Sequence, residues 1–290
     1  MLRIELIVDT RAALGEGPLW DVQEQMLYWI DSYGPAVHRC DMNGRNRCSW
    51  PLPEAVGSMA LRRNGGALLS LKSGFHALDF ATGDVTRIVD PDPGKPRVRM
   101  NDGKVDRRGR FVAGYMDTED RDPLCGLFSL APDHTLQKLD EAIICSNGPC
   151  WSPDGGTFYF ADTTRKVIYA YDYDCATGRV ANRRVFASFD GLRGYPDGAT
   201  VDADGFLWSV EFDSGRLIRF APDGAIDRII GLPVNSTTSI CFGGRDLDIA
   251  FVTSMARPIG GVAPKEREAG GVFAVYGLGV RGLREPRFAG

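Results

Sequence analysis

The stretch DGFLWSVEFDSGRLIRFAPDG, residues 204–224, contains the pattern that decides the fold. Two short runs of aromatic, β-branched and aliphatic residues, Phe206-Leu207-Trp208-Ser209 and Leu217-Ile218-Arg219-Phe220, lie between turns that contain glycine. Short runs of these residue types bounded by Asp-Gly turns favour β-hairpins over helices. We therefore interpret the stretch as two neighbouring antiparallel strands.

The first of these runs recurs along the chain. Equivalent runs start at Leu27, Leu68, Phe111, Phe158 and Ile249, so the six starting positions lie 41, 43, 47, 48 and 43 residues apart. A second apolar run and a further turn follow each of them. A unit of four strands in about 40–50 residues is the repeat of a β-propeller.

Six such repeats account for the whole chain. We expect an all-β protein, a six-bladed β-propeller with four-stranded blades around a central channel, as a single domain over residues 1–290. Length alone would suggest two domains, at about 150 residues each. An open ring would expose a strand edge, so we expect Arg3 to Val8 to complete the last blade.

Composition limits the partners and the compartment. The net charge is −4, and the seven Arg and Lys residues from Lys95 to Arg110 alternate with acids, which favours a solvated face over a nucleic-acid surface. No apolar run approaches the roughly 18–20 residues of a membrane span, and we expect no signal peptide because the apolar core of residues 1–9 is short and interrupted by Glu5. The seven cysteines are scattered without Cys-x-x-Cys, which indicates reduced thiols in the core. We expect a cytoplasmic monomer that binds a small molecule and neither nucleic acid nor membrane.

The innermost strand of each blade should precede its apolar run. Five of the six predicted inner strands carry a residue followed by glycine at one register, which places six side chains on one ring near a mouth of the channel: Glu16, Val56, Asp102, Asn147, Asp197 and Thr237. Each Asn-Gly or Asp-Gly pair alone is more often a plain turn. Acids that converge on one axis repel each other unless a cation neutralises them. Oxygen ligands suit Ca²⁺, Mg²⁺ or Mn²⁺, with Fe²⁺ or Zn²⁺ possible.

Several other chemistries have little support. The three histidines, His38, His76 and His134, fall in outer runs or in the turns after them, which disfavours a Ser-His-Asp triad or a His-rich metal site. No Gly-x-Ser-x-Gly, P-loop or strand-linked Gly-x-Gly-x-x-Gly is present.

Five segments of the chain together resemble the SMP-30/gluconolactonase/regucalcin family. They are Leu14 to Trp20, Arg99 to Asp106, Ser146 to Pro149, Pro196 to Gly198 with Asp202, and Thr237 to Gly244. The resemblance extends from about residue 10 to residue 280. Among bacterial members, the chain is most similar to sugar-acid lactonases of the xylonolactonase or arabinonolactonase type.

The resemblance implies one divalent metal ion on the propeller axis, Ca²⁺, Zn²⁺, Mn²⁺ or Fe²⁺. By motif, its ligands fall on Glu16, Asn147 and Asp197. The substrate-binding positions fall on Arg99 and Asn101, and more loosely on Glu119 in the variable loop from Asp117 to Leu124. The family prefers Asn101 to its neighbour Asp102, which then fixes the turn.

The implied activity is metal-dependent hydrolysis of an aldonolactone, such as the pentonolactone xylonolactone, to the aldonic acid. The metal polarises the lactone carbonyl, water attacks, and Asp197 is both ligand and general base. Two alternatives remain open at this point: a phosphotriesterase-like hydrolase on the same scaffold, and a calcium-binding propeller without catalysis. Arg99 and Asn101 beside the metal favour a polar, hydroxylated ligand.

Overall fold

The chain forms six four-stranded antiparallel sheets in a ring, and the expected six-bladed β-propeller is confirmed. The structure is a computed structural model that describes residues 1–290. Its 24 strands are connected by turns and loops, with no helix. Accordingly, nothing helical in it has the length and apolar character to cross a membrane.

Strands are numbered along the chain and ordered within each blade from the channel outward. Blades 1 to 3 consist of β2 (Gly15–Asp21), β3 (Met26–Asp31), β4 (Ala36–Asp41) and β5 (Cys48–Pro51); β6 (Val56–Leu61), β7 (Ala67–Leu71), β8 (Gly74–Leu78) and β9 (Val85–Val89); and β10 (Val98–Val105), β11 (Phe111–Asp117), β12 (Cys125–Leu130) and β13 (Leu136–Ile143). Blades 4 to 6 consist of β14 (Ser146–Trp151), β15 (Thr157–Asp162), β16 (Val167–Asp174) and β17 (Arg179–Ser188); β18 (Tyr195–Val201), β19 (Leu207–Phe212), β20 (Arg216–Phe220) and β21 (Ile226–Gly231); and β22 (Thr237–Gly243), β23 (Ile249–Ser254), β24 (Val272–Tyr276) and β1 (Arg3–Val8).

The N-terminal strand closes the ring as expected. β1 pairs antiparallel with β24, with Arg3 opposite Tyr276 and Val8 opposite Val272. The sixth blade is therefore built from both ends of the chain, and it has the same four strands as the others. β1 is thus the outer edge strand of its blade, and it covers the edge that β24 would otherwise expose.

The core lies between the blades. The middle strands are buried on both faces, as in β7, where every residue is buried. Large side chains such as Trp29, Trp208, Phe111 and Phe160 fill the spaces between neighbouring sheets with almost no exposed surface. Burial on both faces explains why the sequence shows short continuous apolar runs rather than strict alternation.

Each inner strand carries a β-bulge at the predicted ring position. The pairing register shifts just after Glu16, Val56, Asn147 and Thr237, and across the corresponding stretches of β10 and β18. A bulge bends the strand and turns the side chain at that point. After Asn147, Gly148 has a φ of 56°, and a Cβ there would lie 2.8 Å from the backbone oxygen of Asp197. Crowding of the inner strands around the axis is thus one physical reason for the residue-glycine pattern.

The last residues of the chain run across the other end of the channel. The backbone of Phe288 pairs with Leu61 and Arg63, at the far end of β6. Glu285 reaches the axis, where its carboxylate lies 3.3 Å from the Lys104 ammonium. This segment lies outside the repeats and closes the channel opposite the predicted ring.

Candidate functional site

A cavity of about 450 Å³ opens at the end of the channel where the inner strands begin. Its wall brings together five of the predicted site residues: Glu16, Arg99, Asn101, Asn147 and Asp197. They come from the inner strands of blades 1, 3, 4 and 5. The cavity is therefore a joint product of several blades, and its volume is within the roughly 300–1,000 Å³ of small-molecule sites.

The carboxyl groups of Glu16, which is partly exposed, and Asp197, which is buried, destabilise each other's charge. Burial raises the pKa of Glu16 well above its ordinary value, and the charges of Asp197 and Asp102 add to this rise. Burial, followed by the charge of Asp102, likewise raises the pKa of Asp197. The positive charge of Arg99 and the backbone N–H groups of Gly17 and Gly198 offset these rises only in part, whereas a bound cation would favour both ionised forms.

Hydrogen bonds fix the amide of Asn147 in one orientation. Its Nδ2 donates to Thr163 Oγ1 at 2.8 Å, and Thr163 donates in turn to the backbone oxygen of Pro196. Asn147 Oδ1 accepts from Asn101 Nδ2 at 3.0 Å and keeps a second lone pair. The amide oxygen is the atom that a cation would use.

These three side chains fit a hard divalent cation. Two carboxylates and an amide oxygen are the donors that Ca²⁺, Mg²⁺ and Mn²⁺ prefer, and both carboxylates gain from a neighbouring positive charge. No group of three or more His, Cys, Asp or Glu side chains has metal-binding spacing anywhere in the chain. A site of two acids and one amide leaves coordination positions for water and substrate.

Arg99 and Asn101 form the wall of the cavity in blade 3. Arg99 is only 5% exposed, and its Nη1 donates to the backbone oxygen of Met100 and to Asn101 Oδ1. Its Nε has no partner, and no acid forms an ion pair with it. The nearby buried carboxylate of Asp117 pairs with Arg97 rather than with Arg99. Arg99 is thus a buried cation with donor capacity to spare at the cavity.

The other ring residues do not line this cavity. Val56 and Thr237 are fully buried. Asp102 accepts hydrogen bonds from the backbone N–H groups of Gly103 at 2.7 Å and Gly148 at 2.9 Å. It joins the inner strands of blades 3 and 4 at the glycine after Asn147. This structural role agrees with the turn-fixing role that the resemblance implies for Asp102.

Glu119 lies outside the cavity, contrary to its expected substrate-binding position. Its carboxylate is 3.3 Å from Arg97 Nη2 and 3.1 Å from Arg121 Nη2, in an exposed ion-pair cluster. The neighbouring residue, Asp120, lines the cavity instead. Glu119 and Asp120 face different sides because of the conformation of the loop after β11, and no sequence motif predicts that conformation.

Some lining residues were not predicted. Cys145 is a buried free thiol, as expected of the cysteines, and it also lines the cavity wall, where its Sγ lies 3.7 Å from Asn147 Nδ2. The sequence could have indicated that Cys145 lines the site, because it lies two residues before Asn147 and positions i and i+2 of an extended chain share a face. No sequence feature predicts the lining residues that come from loops and strand ends at the mouth, which are Tyr33, Tyr195 and Ile259.

The fold and this site define a class: six-bladed propellers with an oxygen-lined cavity on the axis. A family model described as "SMP-30/Gluconolactonase/LRE-like region" matches residues 14–256. The chain belongs to this family, as the sequence resemblance predicted.

Relatives and solved structures match over nearly the full length. The chain is 37% identical to regucalcin of Xenopus laevis (100% of this chain, 99% of the relative) and 36% identical to the 6-deoxy-6-sulfogluconolactonase of Pseudomonas putida (99% of both). A luciferin-regenerating enzyme superimposes with a TM-score of 0.93 at 26% identity over the whole of both chains. A calcium-binding protein, regucalcin, from Agrobacterium tumefaciens superimposes with a TM-score of 0.90 at 26% identity (98% of this chain, 96% of that chain).

Proposed function

We propose that the protein is a metal-dependent sugar lactonase that hydrolyses an aldonolactone, with a pentonolactone such as xylonolactone as the leading substrate, to the aldonic acid. The observation that carries the proposal is the placement of Glu16, Asn147 and Asp197 on one cavity with Arg99 and Asn101. The relative at 36% identity is named a 6-deoxy-6-sulfogluconolactonase, which supports the reaction class. The regucalcin from Agrobacterium tumefaciens, which has the same fold, is a calcium-binding protein by name, and this supports a divalent ion.

The chemistry of each site residue suits one role in the proposed reaction. When bound by Glu16, Asn147 and Asp197, a divalent cation (Ca²⁺, Zn²⁺, Mn²⁺ or Fe²⁺) supplies Lewis-acid polarisation of the lactone carbonyl. Asp197 accepts the proton of the attacking water through a carboxylate oxygen. Arg99 donates hydrogen bonds to ring hydroxyls, and Asn101 orients both Arg99 and Asn147. Phe212 and Met255 contribute apolar surface to the cavity wall.

An assay of ester and phosphotriester hydrolysis tests this function. The purified protein is assayed with pentono- and hexonolactones and with a phosphotriester, each with added Ca²⁺, Zn²⁺, Mn²⁺ or Fe²⁺ and again with chelator. We expect hydrolysis of aldonolactones that chelator abolishes and metal restores. Preference for the phosphotriester would replace the proposal by the alternative hydrolase, and metal binding without any hydrolysis would leave a calcium-binding propeller.

Glu16→Gln should mainly weaken metal binding. The substitution removes one of two anionic donors and keeps the shape of the side chain. Even loss of an outer partner of a metal ligand costs about 10- to 100-fold in metal affinity, so we expect at least about a tenfold higher metal concentration for half-maximal activity. Titration of activity with metal measures this change, and Glu5→Gln on the outer strand β1, where the side chain is 43% exposed, is the control. Unchanged metal affinity would remove Glu16 from the ligand set.

Arg99→Met should reduce catalysis in a way that depends on the substrate's hydroxyl groups. The guanidinium carries five donors in a fixed fork, and hydrogen bonds to charged groups are worth about 1.5–3 kcal/mol. We expect kcat/KM for a hydroxylated lactone to fall about 10- to 100-fold, with a much smaller effect on unsubstituted δ-valerolactone. Arg87→Met, at an exposed surface ion pair, is the control. Equal losses on both lactones would assign Arg99 to the metal site or the oxyanion, and no loss would place it outside the chemistry.

We also propose that the protein acts as a cytoplasmic monomer whose partner is the small lactone, without nucleic acid or membrane. The net charge of −4 without basic clusters supports the lack of a polyanion partner. Light scattering on the purified protein measures its oligomeric state.

A further inference from the structure

A second, much smaller cavity lies in the channel next to the candidate site. It has a volume of about 20 Å³, room for about one water molecule. Ala199, which lines it, follows Asp197 by two residues on β18, so this cavity lies further along the inner strands than the predicted metal ligands. Lys104 is the only basic residue in its wall. The channel thus contains one ammonium group just beyond the candidate metal site.

The Lys104 ammonium joins two blades that are not neighbours. Lys104 lies on β10 of blade 3, and its Nζ donates a hydrogen bond to the backbone oxygen of Ala199, on β18 of blade 5, at 3.0 Å. Between these strands lies β14 of blade 4, whose Gly148 N–H donates to the Asp102 carboxylate at 2.9 Å. Asp102 and Lys104 therefore link β10 to the two strands that carry the predicted metal ligands of blades 4 and 5.

The strand β18 is weakly held by its own sheet at Asp197. The pairing of β18 with β19 is irregular between Pro196 and Ala199, so Asp197 lies in a bulge without a regular partner. β18 is also the innermost strand of its sheet, so no strand pairs with its channel side. The Lys104 hydrogen bond is made at Ala199, where the regular pairing resumes. It restrains β18 from the side on which the sheet offers no partner.

Glu285 holds the ammonium from a different element. Its carboxylate lies 3.3 Å from Lys104 Nζ, and the two side chains are only 13% and 18% exposed. Glu285 belongs to the C-terminal segment, which crosses the closed end of the channel. Because its two partners lie on different elements, the Lys104 ammonium has little freedom to move.

We propose that Lys104 is a positioning residue of the metal site, which holds the strand that carries Asp197 in place relative to the strand that carries Asn147. The inference rests on the proposed metal-dependent function and deepens it by naming a residue outside the ligand set on which metal affinity depends. The inner strands belong to six separate sheets, so side-chain contacts of this kind set their spacing. Groups that orient metal ligands affect metal affinity although they do not bind the metal themselves.

The charge of Lys104 and its hydrogen bond predict opposite effects on metal binding. A positive charge near the site repels a divalent cation, so loss of the charge alone strengthens binding. Loss of the hydrogen bond to Ala199 lets Asp197 move and weakens binding. Glu285→Gln reverses the charge effect, because it removes a negative charge and leaves the Lys104–Ala199 hydrogen bond in place. The sign of the change therefore separates the two roles.

Calorimetric titration of the metal-free protein measures metal affinity without relying on activity. Wild type, Lys104→Met and Glu285→Gln are titrated with Ca²⁺, Zn²⁺, Mn²⁺ and Fe²⁺, at a temperature where thermal unfolding shows all of them to be folded. Phe288→Ala is the control for stability, because it removes buried surface at the same end of the channel and leaves the Lys104 contacts in place. Should Lys104→Met not fold, Lys104→Gln takes its place, because its amide remains polar but is one bond shorter.

We expect loss of the Lys104 ammonium to weaken metal binding about 10- to 100-fold, the usual cost of removing a group that orients a metal ligand. Glu285→Gln should lose less than Lys104→Met, and Phe288→Ala should bind metal as wild type does. Tighter or unchanged binding by Lys104→Met overturns the proposal. Equal weakening in Phe288→Ala also overturns it, because general loosening of the fold then accounts for the loss.

Failure of the proposed function gives a different result. A wild type that binds metal without hydrolysing lactones refutes the lactonase function alone, and the metal affinities of the variants then decide the role of Lys104. A wild type that binds none of the four metals refutes the metal site and the role of Lys104 together.

Discussion

Asp197→Asn is expected to lower the rate of lactone hydrolysis by about 100- to 10,000-fold, the usual contribution of a positioned general base. The amide cannot accept the proton of the attacking water, and it also weakens the metal site. The fold should not suffer, because Asn has nearly the same shape and no longer repels Glu16 and Asp102. Without added metal, the melting temperature should therefore equal or exceed that of wild type. Steady-state kinetics and thermal unfolding measure the two effects.

A buried aspartate outside the cavity gives the opposite pattern and serves as the control. Asp202 accepts a hydrogen bond from Trp208 Nε1 at 2.9 Å and lies 2.7 Å from Arg219 Nη2. Asp202→Asn breaks a buried ion pair and should lower the melting temperature, while the folded protein keeps its activity. Near wild-type turnover in Asp197→Asn would remove Asp197 from the chemistry. A fall in melting temperature as large as that of the control would attribute the lost activity to misfolding.

The repeat and the ring could be predicted from sequence because the same local physics operates in every blade. Each inner strand has a bulge where it approaches its neighbours, and the crowding there selects glycine after the ring residue, as at Gly148. The result is a residue-glycine pattern that recurs at one register of the inner strands. This pattern was sufficient to predict that Glu16, Asn147 and Asp197 lie at one mouth of the channel, where the cavity lies. The residue-glycine pattern could not show that Asp102 does not line the cavity. The direction of that side chain depends on a backbone N–H group of the next blade.

The remaining features depend on structure that occurs once. The choice between Glu119 and Asp120 depends on a single turn held by Asp117 and on the φ of one residue. Burial of Arg99 depends on side chains from other blades, including Tyr33, whose ring centroid lies 5.3 Å from its guanidinium carbon. Long-range packing of this kind leaves no periodic trace in the sequence. The C-terminal segment likewise occurs once, outside the repeats.

Phe288 anchors the C-terminal segment to the propeller. Its side chain is fully buried in a cluster that includes Val105, Phe111 and Leu130 of blade 3. Its N–H donates to the backbone oxygen of Leu61 at 2.8 Å, and its oxygen accepts from Arg63 at 2.9 Å. These contacts lie at the ends of the strands of blades 2 and 3 that are remote from the cavity. Stability and catalysis should therefore respond separately at this position.

Phe288→Ala should lower the free energy of unfolding by about 3–5 kcal/mol, the usual loss when a buried Phe is truncated and leaves a cavity. Denaturant unfolding measures the loss, and kcat/KM at a temperature where the variant is folded should be retained. Val185→Ala is the matched control, because its side chain is 62% exposed and exposed substitutions usually change stability by less than about 0.5 kcal/mol. A loss below about 1 kcal/mol for Phe288→Ala would show that the segment contributes little to folding. A loss of kcat/KM in the folded variant would instead couple the closed end of the channel to the site, through the Glu285–Lys104 pair beneath Asp102.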